Sequence, residues 1–511
     1  MSHAGILAAG ISLSYNAYFR SDAEAFARTF RYQGWMRIPS LYRRLWLAGA
    51  AMALFLATLI VGNSFLKADQ AVRRNMLGYD FRALYIAGTF AREGRSSEFY
   101  DLKSVGEFDD KIARDHGLDL DQGIGPIFNP PFFAWIFAPL AGWPYPIALR
   151  IWYAISVGCL MLSVLLLGRI LSGKSGEGGV GFSGRNRSDI QGLITGKIPS
   201  AKADPTQNTL AYGALILLLV ATSMPAVQAL VHAQNTFLSL LMLIGVVRWW
   251  RSGRAFLAGL LAGLLFYKPQ LGAVVALSLV VTMGWRAALG LAITGTSLLL
   301  LNIVTLPGSL TDFFVKMPVN LRWLQEGHIY AWQRHATFQG FWRTLLQWGQ
   351  AGPATGAVRF LTYGSMLIVA IGLVRLIRLF HRQPRTNGVS RPDAIDPFIA
   401  ATLTAMPLLM PFYFDYDLLL LSIAAVLTAG DFLRQGRRPN HFADRWLPTA
   451  WFIFYTAMYL NLPIARFTHI SPLVPSLGFL TVLMFSRATT RLKNMEIGEP
   501  FSVPDDMIVF Q

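Results

Sequence analysis

Apolar segments long enough, or nearly long enough, to cross a membrane divide this chain along most of its length. Ten of them can be read directly: 45–65, 146–170, 209–231, 233–248, 287–306, 356–380, 396–411, 416–433, 446–463 and 472–487. A bilayer core about 30 Å thick requires roughly 20 apolar residues in a helix, because every backbone polar group must be satisfied within the segment. The sequence therefore predicts an all-α polytopic membrane protein.

One further apolar segment, 255–283, is interrupted at its centre by Lys268-Pro269-Gln270. Proline removes a backbone hydrogen-bond donor, and a lysine is not accommodated facing lipid. The segment is therefore predicted to form two short helices that meet at a polar tip, as a re-entrant hairpin. Counting the hairpin as two helices gives roughly twelve transmembrane or re-entrant helices in total.

The composition supports a membrane protein and argues against a nucleic-acid partner. Hydrophobic residues make up 54% of the 511 positions and charged residues 14%, compared with about 25% charged residues in soluble domains. The formal charge of +17 comes from basic residues beside apolar segments, which is typical of loops that face anionic lipid. Cys159 is the single cysteine, so neither an intrachain disulfide nor a cysteine metal site is expected.

Clusters of basic residues predict how the chain is oriented in the lipid bilayer. They occur in 28–44, 248–254, 375–385, 434–438 and 487–493, and they fall on one side if the hairpin enters and leaves from that side. Short loops rich in arginine and lysine face the cytoplasm, so we assign this side to it. The predicted location is the inner, cytoplasmic membrane, with the chemistry on the extracytoplasmic face.

The same assignment divides the chain into regions. A membrane domain, 45–487, lies between a cytoplasmic N-terminal segment, 1–44, and a cytoplasmic tail, 488–511. Residues 171–208 are rich in glycine and serine and are predicted to form a flexible cytoplasmic loop. Two polar segments are predicted to be extracytoplasmic loops: the first outer segment, 66–145, and the second outer segment, 307–355.

Asp80 is the most conspicuous charge after the first apolar span. It stands in the aromatic stretch Gly78–Gly88, in a chain that otherwise avoids charge. A carboxylate at a membrane surface is costly to desolvate, so a role as a base or counter-ion is one interpretation. A base could take the proton from an acceptor hydroxyl while a glycosidic bond forms. The other interpretation is an ordinary helix-cap or loop acid.

Two more groups of polar residues interrupt apolar sequence. Lys268 and Gln270 occupy the tip of the predicted hairpin, where a buried lysine flanked by helix ends is suited to holding a phosphate. A structural lysine would instead extend towards the lipid headgroups. Gln234 and Asn235 lie in a turn between two apolar segments, where they are either capping residues or part of a site.

Arg334, His335 and Asp415 complete the candidate residues. Arg334 and His335 lie in the second outer segment beside tryptophans, a pattern typical of sugar stacking and equally of a membrane-interface belt. Asp415-Tyr416-Asp417 places two acids at the outer end of a late span, where they need a basic partner from an outer segment. Paired carboxylates can indicate a divalent metal, but the neighbouring sequence contains no ligand motif and no metal is predicted.

Taken in order, several short motifs resemble those of the polyprenol-phosphate-sugar-dependent glycosyltransferases of family 87, whose best-known members are bacterial α-mannosyltransferases. The motifs are Asp80-Phe81 with Tyr85 and Ala87-Gly88, Asn129-Pro130-Pro131-Phe132, Gln234-Asn235, Gly253-Arg254 with Lys268-Pro269-Gln270, and Asp415. The resemblance covers about 45–487. The sequence departs from the family pattern at Ala233, where glycine is usual, and at Phe414 and Tyr416, where the family often has tryptophan and histidine.

The resemblance implies a GT-C-type glycosyltransferase fold whose long first extracytoplasmic loop carries the catalytic acid, here Asp80. It implies an inverting transfer of a sugar, mannose by default, from a polyprenyl-phosphate-linked donor to a glycolipid or glycan acceptor. It implies no nucleotide, cofactor or metal. The donor phosphate and lipid would be bound by Lys268, Gln270 and Arg334. The substrates would contact Tyr85, Gln234, Asn235, His335 and Asp415.

Two other functions are compatible with such a chain. A transporter or flippase of a lipid-linked saccharide would show two similar halves with broken helices in corresponding positions, whereas only one interrupted hairpin is seen. An O-antigen-type polymerase or ligase would use a similar donor and typically has its large outer loop late in the chain. The longest outer segment here comes first.

Overall fold

The computed structural model of this chain describes residues 78–116, 125–171, 205–327, 330–382, 392–435 and 442–496. Within these residues the regular structure is helical, and the one backbone pairing of the β type is an isolated antiparallel bridge between His335 and Phe414. The predictions for the N-terminal segment 1–44, the first span 45–65 and most of the 171–208 loop concern residues outside these ranges, as do those for the end of the tail.

Seventeen α-helices lie in the described residues. Three short helices precede the first described span: α1 (Tyr79–Arg92), α2 (Leu102–His116) and α3 (Ala134–Phe137). Seven apolar helices follow: α4 (Tyr145–Leu171), α5 (Pro205–Ala221), α6 (Met224–Val231), α7 (Thr236–Arg251), α8 (Ala255–Leu264), α9 (Pro269–Met283) and α10 (Trp285–Thr305). The remaining helices are α11 (Ser309–Gly327), α12 (Phe338–Gln347), α13 (Gly356–His381), α14 (Pro392–Leu409), α15 (Leu421–Gln435), α16 (Phe442–Thr468) and α17 (Leu473–Glu496).

Five of these helical segments are long and apolar enough to cross a membrane. They are Tyr145–Leu171, Trp285–Thr305, Gly356–His381, Asp415–Leu433 and Leu473–Asn494. Shorter apolar helices at Ala255–Tyr267, Pro269–Met283 and Ile395–Leu409 accompany them. The prediction of an all-α polytopic membrane protein is therefore confirmed.

The segment 209–231, predicted as one straight span, is instead bent. Its two helices, α5 and α6, meet at an angle of 64°, and together they would make a sixth span. Ser223 begins α6 as its N-cap, because its Oγ accepts a hydrogen bond from the backbone N–H of Ala226. Pro225 in the first turn of α6 lacks the N–H that a continuous helix would use. The chain therefore ends one helix and starts another at this point.

Both predicted outer loops are largely helical in the described residues. The first outer segment forms α1, α2 and α3, and the second forms α11 and α12. The two segments also pack on each other, since Ser96 Oγ donates to the Pro307 carbonyl at 2.9 Å and Asn320 Nδ2 donates to the Tyr100 carbonyl at 2.9 Å. The glycine-rich loop is shorter than predicted, because α5 already begins at Pro205, a favourable first residue for a helix.

The predicted hairpin at Lys268 is confirmed. After α8, one 3₁₀ turn leads to Lys268, and α9 begins at Pro269. Helices α8 and α10 run parallel. Gly259 of α8 lies against Ala287 of α10, and Gly263, one turn later in α8, lies against Thr294, which is also later in α10. Because α9 connects them, it runs in the opposite direction. The start of α8 and the end of α9 therefore lie together, and Lys268 occupies the tip of the hairpin at the opposite end.

Close backbone contact fixes this hairpin against α10. A Cβ atom at Gly259 would lie 2.1 Å from the carbonyl oxygen of Ala287, and one at Gly290 would lie 2.3 Å from the carbonyl oxygen of Phe256. Thr294 Oγ1 donates to the Leu260 carbonyl at 2.8 Å in the same interface. Small residues that allow backbones to approach are the usual means of helix association in lipid.

Two buried ion-pair groups lie at the end of the bundle away from Lys268. Arg251 Nε and Nη2 donate to the two carboxylate oxygens of Asp396 at 2.6 and 3.0 Å. Arg487 contacts Asp431 and Asp444 at 2.5 Å each. Helix α7 has 16 residues, so Arg251 lies about 22 Å from its first residue, Thr236. We call the two ends of the bundle the Lys268 end and the Arg251 end.

Removing one partner of the Arg251–Asp396 pair is expected to destabilise the protein strongly. Both side chains are buried, 5% and 1% exposed, so Asp396→Leu would remove the bidentate acid partner of a buried guanidinium at a cost of about 3–5 kcal/mol. The free energy of unfolding in mixed micelles measures this, with the double variant Arg251→Met/Asp396→Leu expected to recover much of the loss. Unfolding of Asp396→Leu at the wild-type denaturant concentration would contradict the prediction, and the exposed Arg254→Met serves as control.

Candidate functional site

Several helices begin close together at the Lys268 end. Gly78 is the N-cap of α1, Asn235 of α7 and Lys268 of α9. The start of α1 is attached to the end of α6, because the backbone N–H of Gly78 donates to the Val231 carbonyl at 2.9 Å and that of Asp80 donates to the His232 carbonyl at 3.2 Å. Helix N-termini carry unpaired N–H groups and partial positive charge, so this end of the bundle favours anions.

The Asp80 carboxylate points into this group of helix starts. Gln234 Nε2 donates to Asp80 Oδ2 at 2.5 Å, and His232 Nδ1 lies 3.6 Å from the same oxygen. The Asp80 side chain is 30% exposed, more than any other acid or base in the cluster described here. It is therefore the member of the cluster that an incoming molecule reaches most readily.

Lys268 is buried beside it and is paired with an acid. Its Nζ donates to Asp417 Oδ1 at 3.1 Å and to Gln234 Oε1 at 3.4 Å. Thr236 Oγ1 donates to the same Asp417 oxygen at 3.0 Å. The Lys268 side chain is 9% exposed and that of Asp417 is 3% exposed. Burial of both charges requires the pairing, since an isolated ion in this environment would be costly.

Arg334 provides the second cation of the cluster. Its Nε and Nη2 donate to the two oxygens of Asp415 at 3.0 Å each, which is a bidentate pair. Its Nη1 lies 3.1 Å from His232 Nε2, and its Nη2 also donates to Gln228 Oε1 at 3.2 Å. The expectation that Asp415 pairs with a basic residue from an outer segment is confirmed.

These side chains form one continuous hydrogen-bonded and electrostatic sequence, which we call the polar chain. Its members are Asp415, Arg334, His232, Asp80, Gln234, Lys268 and Asp417. Asp415 and Asp417 each pair directly with a cation. Within the described residues, no lysine or arginine lies within 4 Å of the Asp80 carboxylate.

His232 carries no charge at neutral pH in this setting. Burial lowers the pKa of its imidazole below the usual value, and although Asp80 opposes this shift, the Arg334 guanidinium adds to it. Asp80 is consequently held by two neutral groups, the amide of Gln234 and the imidazole of His232. The cluster thus contains three acids, of which two have their charge compensated in place.

Comparison with known protein families shows to which family the chain belongs. The sequence profile described as glycosyltransferase family 87 matches residues 128–391, just over half of the 511 positions. The chain belongs to glycosyltransferase family 87. The match contains Gln234, Lys268 and Arg334, whereas Asp80 precedes it and Asp415 follows it. Comparison with curated proteins gave no match, and comparison with solved structures gave none.

Membership of the family makes this protein a membrane glycosyltransferase. The polar chain therefore stands as the candidate active site of a family 87 enzyme. Four of the predicted site residues besides Asp80 belong to it: Lys268, Arg334, Gln234 and Asp415. They come from four separate parts of the sequence, which the fold brings to the Lys268 end.

Two residues predicted for the site of this family 87 enzyme lie apart from the polar chain. Tyr85 lies further along α1, where its hydroxyl donates to the Trp143 carbonyl at 2.9 Å and its ring meets Tyr145 edge-on. Gln270 is half-buried in the first turn of α9, and no hydrogen bond of its side chain is found within the described residues. The geometry gives neither residue a role in the cluster.

Asn235 and His335 are buried next to the polar chain but are not members of it. Asn235 caps α7, is 1% exposed, and has a side-chain oxygen with no hydrogen-bond partner among the described residues. His335 is fully buried, and its Nε2 lies 2.9 Å from the Tyr330 hydroxyl. Burial, with Arg334 nearby, lowers its pKa to about 3, so the imidazole is neutral. The bridge from His335 to Phe414 aligns Arg334 with Asp415.

Sequence reasoning did not select His232 or Asp417 for the site of this family 87 enzyme. Asp417 had a visible signal, because a second acid two residues after Asp415 at the start of an apolar span requires its own partner. His232 had only its place in a polar turn, which is ordinary capping sequence. Among the described residues, no group of three or more histidine, cysteine or acidic side chains is placed to hold a metal ion.

Proposed function

We propose that this family 87 enzyme transfers a sugar from a polyprenyl-phosphate-linked donor to a glycolipid or glycan acceptor, with Asp80 as general base. Mannose is the sugar to test first, and the architecture we propose is the GT-C type. The observation that carries the proposal is that, among the residues the structure describes, Asp80 is the one acid of the polar chain that has no cation partner. It is also the most exposed of the charged members.

Pairing decides which carboxylate can act as a base. A cation within contact distance engages the oxygens of a carboxylate and keeps them from an acceptor hydroxyl. Asp415 and Asp417 are in this situation, with Arg334 and Lys268 respectively. Asp80 receives hydrogen-bonding groups that orient it without adding positive charge. It is therefore the carboxylate of the polar chain that we propose takes the proton of the acceptor hydroxyl.

The proposed reaction is a single displacement. The acceptor oxygen attacks the anomeric carbon of the donor sugar and forms the new glycosidic bond, while its proton passes to Asp80. The bond between the anomeric carbon and the phosphate oxygen breaks, and its electron pair leaves with the polyprenyl phosphate. Attack opposite the leaving group inverts the anomeric centre, so a β-linked donor would give an α-linked product.

Lys268 is the group we propose for the departing phosphate. An ammonium has three protons, and the contacts with Asp417 and Gln234 account for two directions. The N-termini of α7 and α9 point into the same region and add partial positive charge. Arg334 is already engaged by Asp415, Gln228 and His232, so we propose that it acts on the phosphate only through its charge.

Reconstituted protein tests the function directly. Purified enzyme in lipid vesicles would be given polyprenyl-phosphate mannose and a lipid and glycan extract of the expression host, and the products analysed by mass spectrometry. We expect an acceptor species heavier by one hexose and release of polyprenyl phosphate. Movement of the donor across the bilayer without any sugar transfer would instead support a function as a flippase of the lipid-linked saccharide.

The extracytoplasmic placement of the site is a separate prediction. In a Cys159→Ala background, cysteine would replace the exposed Lys111 on α2 or the exposed Arg254 at the Arg251 end. Lys111→Cys is expected to react with an impermeant thiol reagent in intact spheroplasts, and Arg254→Cys only after lysis. The neighbouring Asp109 is unsuitable for the test, because it is buried against Arg82 at 3.4 Å. The reverse labelling pattern would place the site in the cytoplasm.

A further inference from the structure

His232 occupies the central link of one arm of the polar chain. Its Nε2 lies 3.1 Å from Arg334 Nη1, and its Nδ1 lies 3.6 Å from Asp80 Oδ2. Its side chain is 16% exposed, and its Nδ1 atom is inaccessible to solvent. The imidazole therefore connects the cation that Asp415 holds to the carboxylate that we propose as the base.

The partners of the ring determine where its proton lies. A guanidinium can only donate hydrogen bonds, so Nε2 must accept from Arg334 and cannot itself carry a proton. A neutral imidazole has one N–H, which then belongs to Nδ1 and faces Asp80. A doubly protonated ring would direct an N–H of its own against the N–H of Arg334. The surroundings thus select one tautomer and one charge state.

We propose that His232 is a positioning residue, fixed by Arg334 in its Nδ1–H tautomer so that it holds Asp80 Oδ2 and leaves Oδ1 towards the acceptor hydroxyl. This inference rests on the proposed function of Asp80 as base. Gln234 Nε2 and His232 Nδ1 both approach Oδ2, from different elements. The 3.6 Å contact is longer than a hydrogen bond, and contacts of this kind shorten when substrate binds.

The tautomer can be measured without any substrate. Protein labelled with ¹⁵N-histidine and placed in nanodiscs would give the two ring nitrogen signals of His232, identified by their loss in His232→Asn. We expect a protonated Nδ1 and an unprotonated Nε2 at neutral pH, and a mixture of tautomers in Arg334→Leu. A protonated Nε2 in the wild-type protein would overturn the proposal.

A pair of substitutions separates positioning from simple packing. The amide of asparagine can replace the Nδ1 donor that faces Asp80, whereas the amide of glutamine reaches only the Nε2 position that faces Arg334. With polyprenyl-phosphate mannose as donor, His232→Gln is expected to lower kcat by roughly 10- to 100-fold at unchanged donor KM, as for a reactive group slightly misplaced. His232→Asn should stay within several-fold of wild type, and His381→Gln, exposed at the Arg251 end, serves as control. Equal losses in the Asn and Gln variants would overturn the proposal.

Asp80 links this test to the proposed function. In an Asp80→Asn background, His232→Gln should lower kcat no further, because the group that it positions is gone. Full activity of Asp80→Asn would refute Asp80 as base and, with it, the role of His232. An inactive Asp80→Asn beside a fully active His232→Gln would refute the positioning role alone. If the mannose donor supports no transfer, the ring nitrogen measurement still decides the tautomer.

Discussion

Asp80→Asn is expected to lower turnover by roughly 10²–10⁴-fold while donor affinity stays near that of the wild type, because a positioned base contributes about that much to rate. The amide keeps the shape of the side chain and an oxygen for Gln234 Nε2, whose contact with Asp80 is 2.5 Å long. It removes the basicity that takes the acceptor proton. Sugar transfer by the purified variant, with donor binding measured in parallel, checks the prediction.

Two further variants sharpen the Asp80 experiment. Asp80→Glu is expected to be only partly active, because the extra methylene moves the carboxylate by about an ångström and such displacements are costly in rate. Asp110→Asn removes an exposed acid of α2 and should leave turnover unchanged. Near-wild-type turnover of Asp80→Asn would exclude Asp80 as the base. Asp415 or Asp417 could take its place only after separating from its cation partner.

Lys268→Met is expected to weaken donor binding by about 2–5 kcal/mol, as for truncation of one member of a buried charge pair. The same change leaves Asp417 buried and unpaired, which should also destabilise the fold by about 3–5 kcal/mol. The double variant Lys268→Met/Asp417→Asn removes both charges and preserves the net charge of the cluster. Its donor affinity therefore reports the phosphate contact rather than misfolding.

Binding of polyprenyl-phosphate mannose to the purified variants measures the effect of Lys268. The double variant should fold with near-wild-type stability and still bind donor weakly. Lys111→Met, which removes an exposed lysine of α2, is the matched control. Wild-type donor affinity in a folded double variant would leave Lys268 with a structural role only, as the partner of Asp417.

Much of the membrane part of the fold could be predicted from sequence, because its physical cause is local. Helices in lipid satisfy their own backbone groups, so each apolar segment of sufficient length specifies its own structure. The predicted span 146–170 is one residue shorter at each end than the helix Tyr145–Leu171. The predicted span 356–380 ends one residue before the helix Gly356–His381 does. The bend after Ala221 was missed although Ser223 and Pro225 mark it.

The site could be predicted only as a set of separate polar residues. Each of Asp80, Gln234 and Lys268 stands out because it interrupts apolar sequence, but nothing local indicates which residues will touch. The Lys268–Asp417 pair joins positions 149 residues apart, and its formation depends on how the hairpin tip meets the 3₁₀ segment Asp415–Leu420 that precedes α15. Partner identity was therefore beyond the sequence alone.

Helix geometry explains why one motif residue lies outside the cluster. Tyr85 follows Asp80 by five residues in α1, which at 100° per residue places the two side chains about 140° apart on the helix. The rotation could have been calculated if the first outer segment had been recognised as helical. Its interpretation as a loop concealed the periodicity.

The glycine contacts between α8 and α10 have a consequence for any search for inactive variants. Gly259 and Gly290 leave no room for a methyl group, since a Cβ there would meet backbone oxygen at 2.1 and 2.3 Å. Gly259 precedes Lys268 by nine residues, about 14 Å along a helix, so alanine at either glycine would displace the tip without touching substrate. A random mutagenesis screen scored on sugar transfer would recover these positions together with Asp80. Protein abundance and melting temperature, rather than loss of product, would tell the two classes apart.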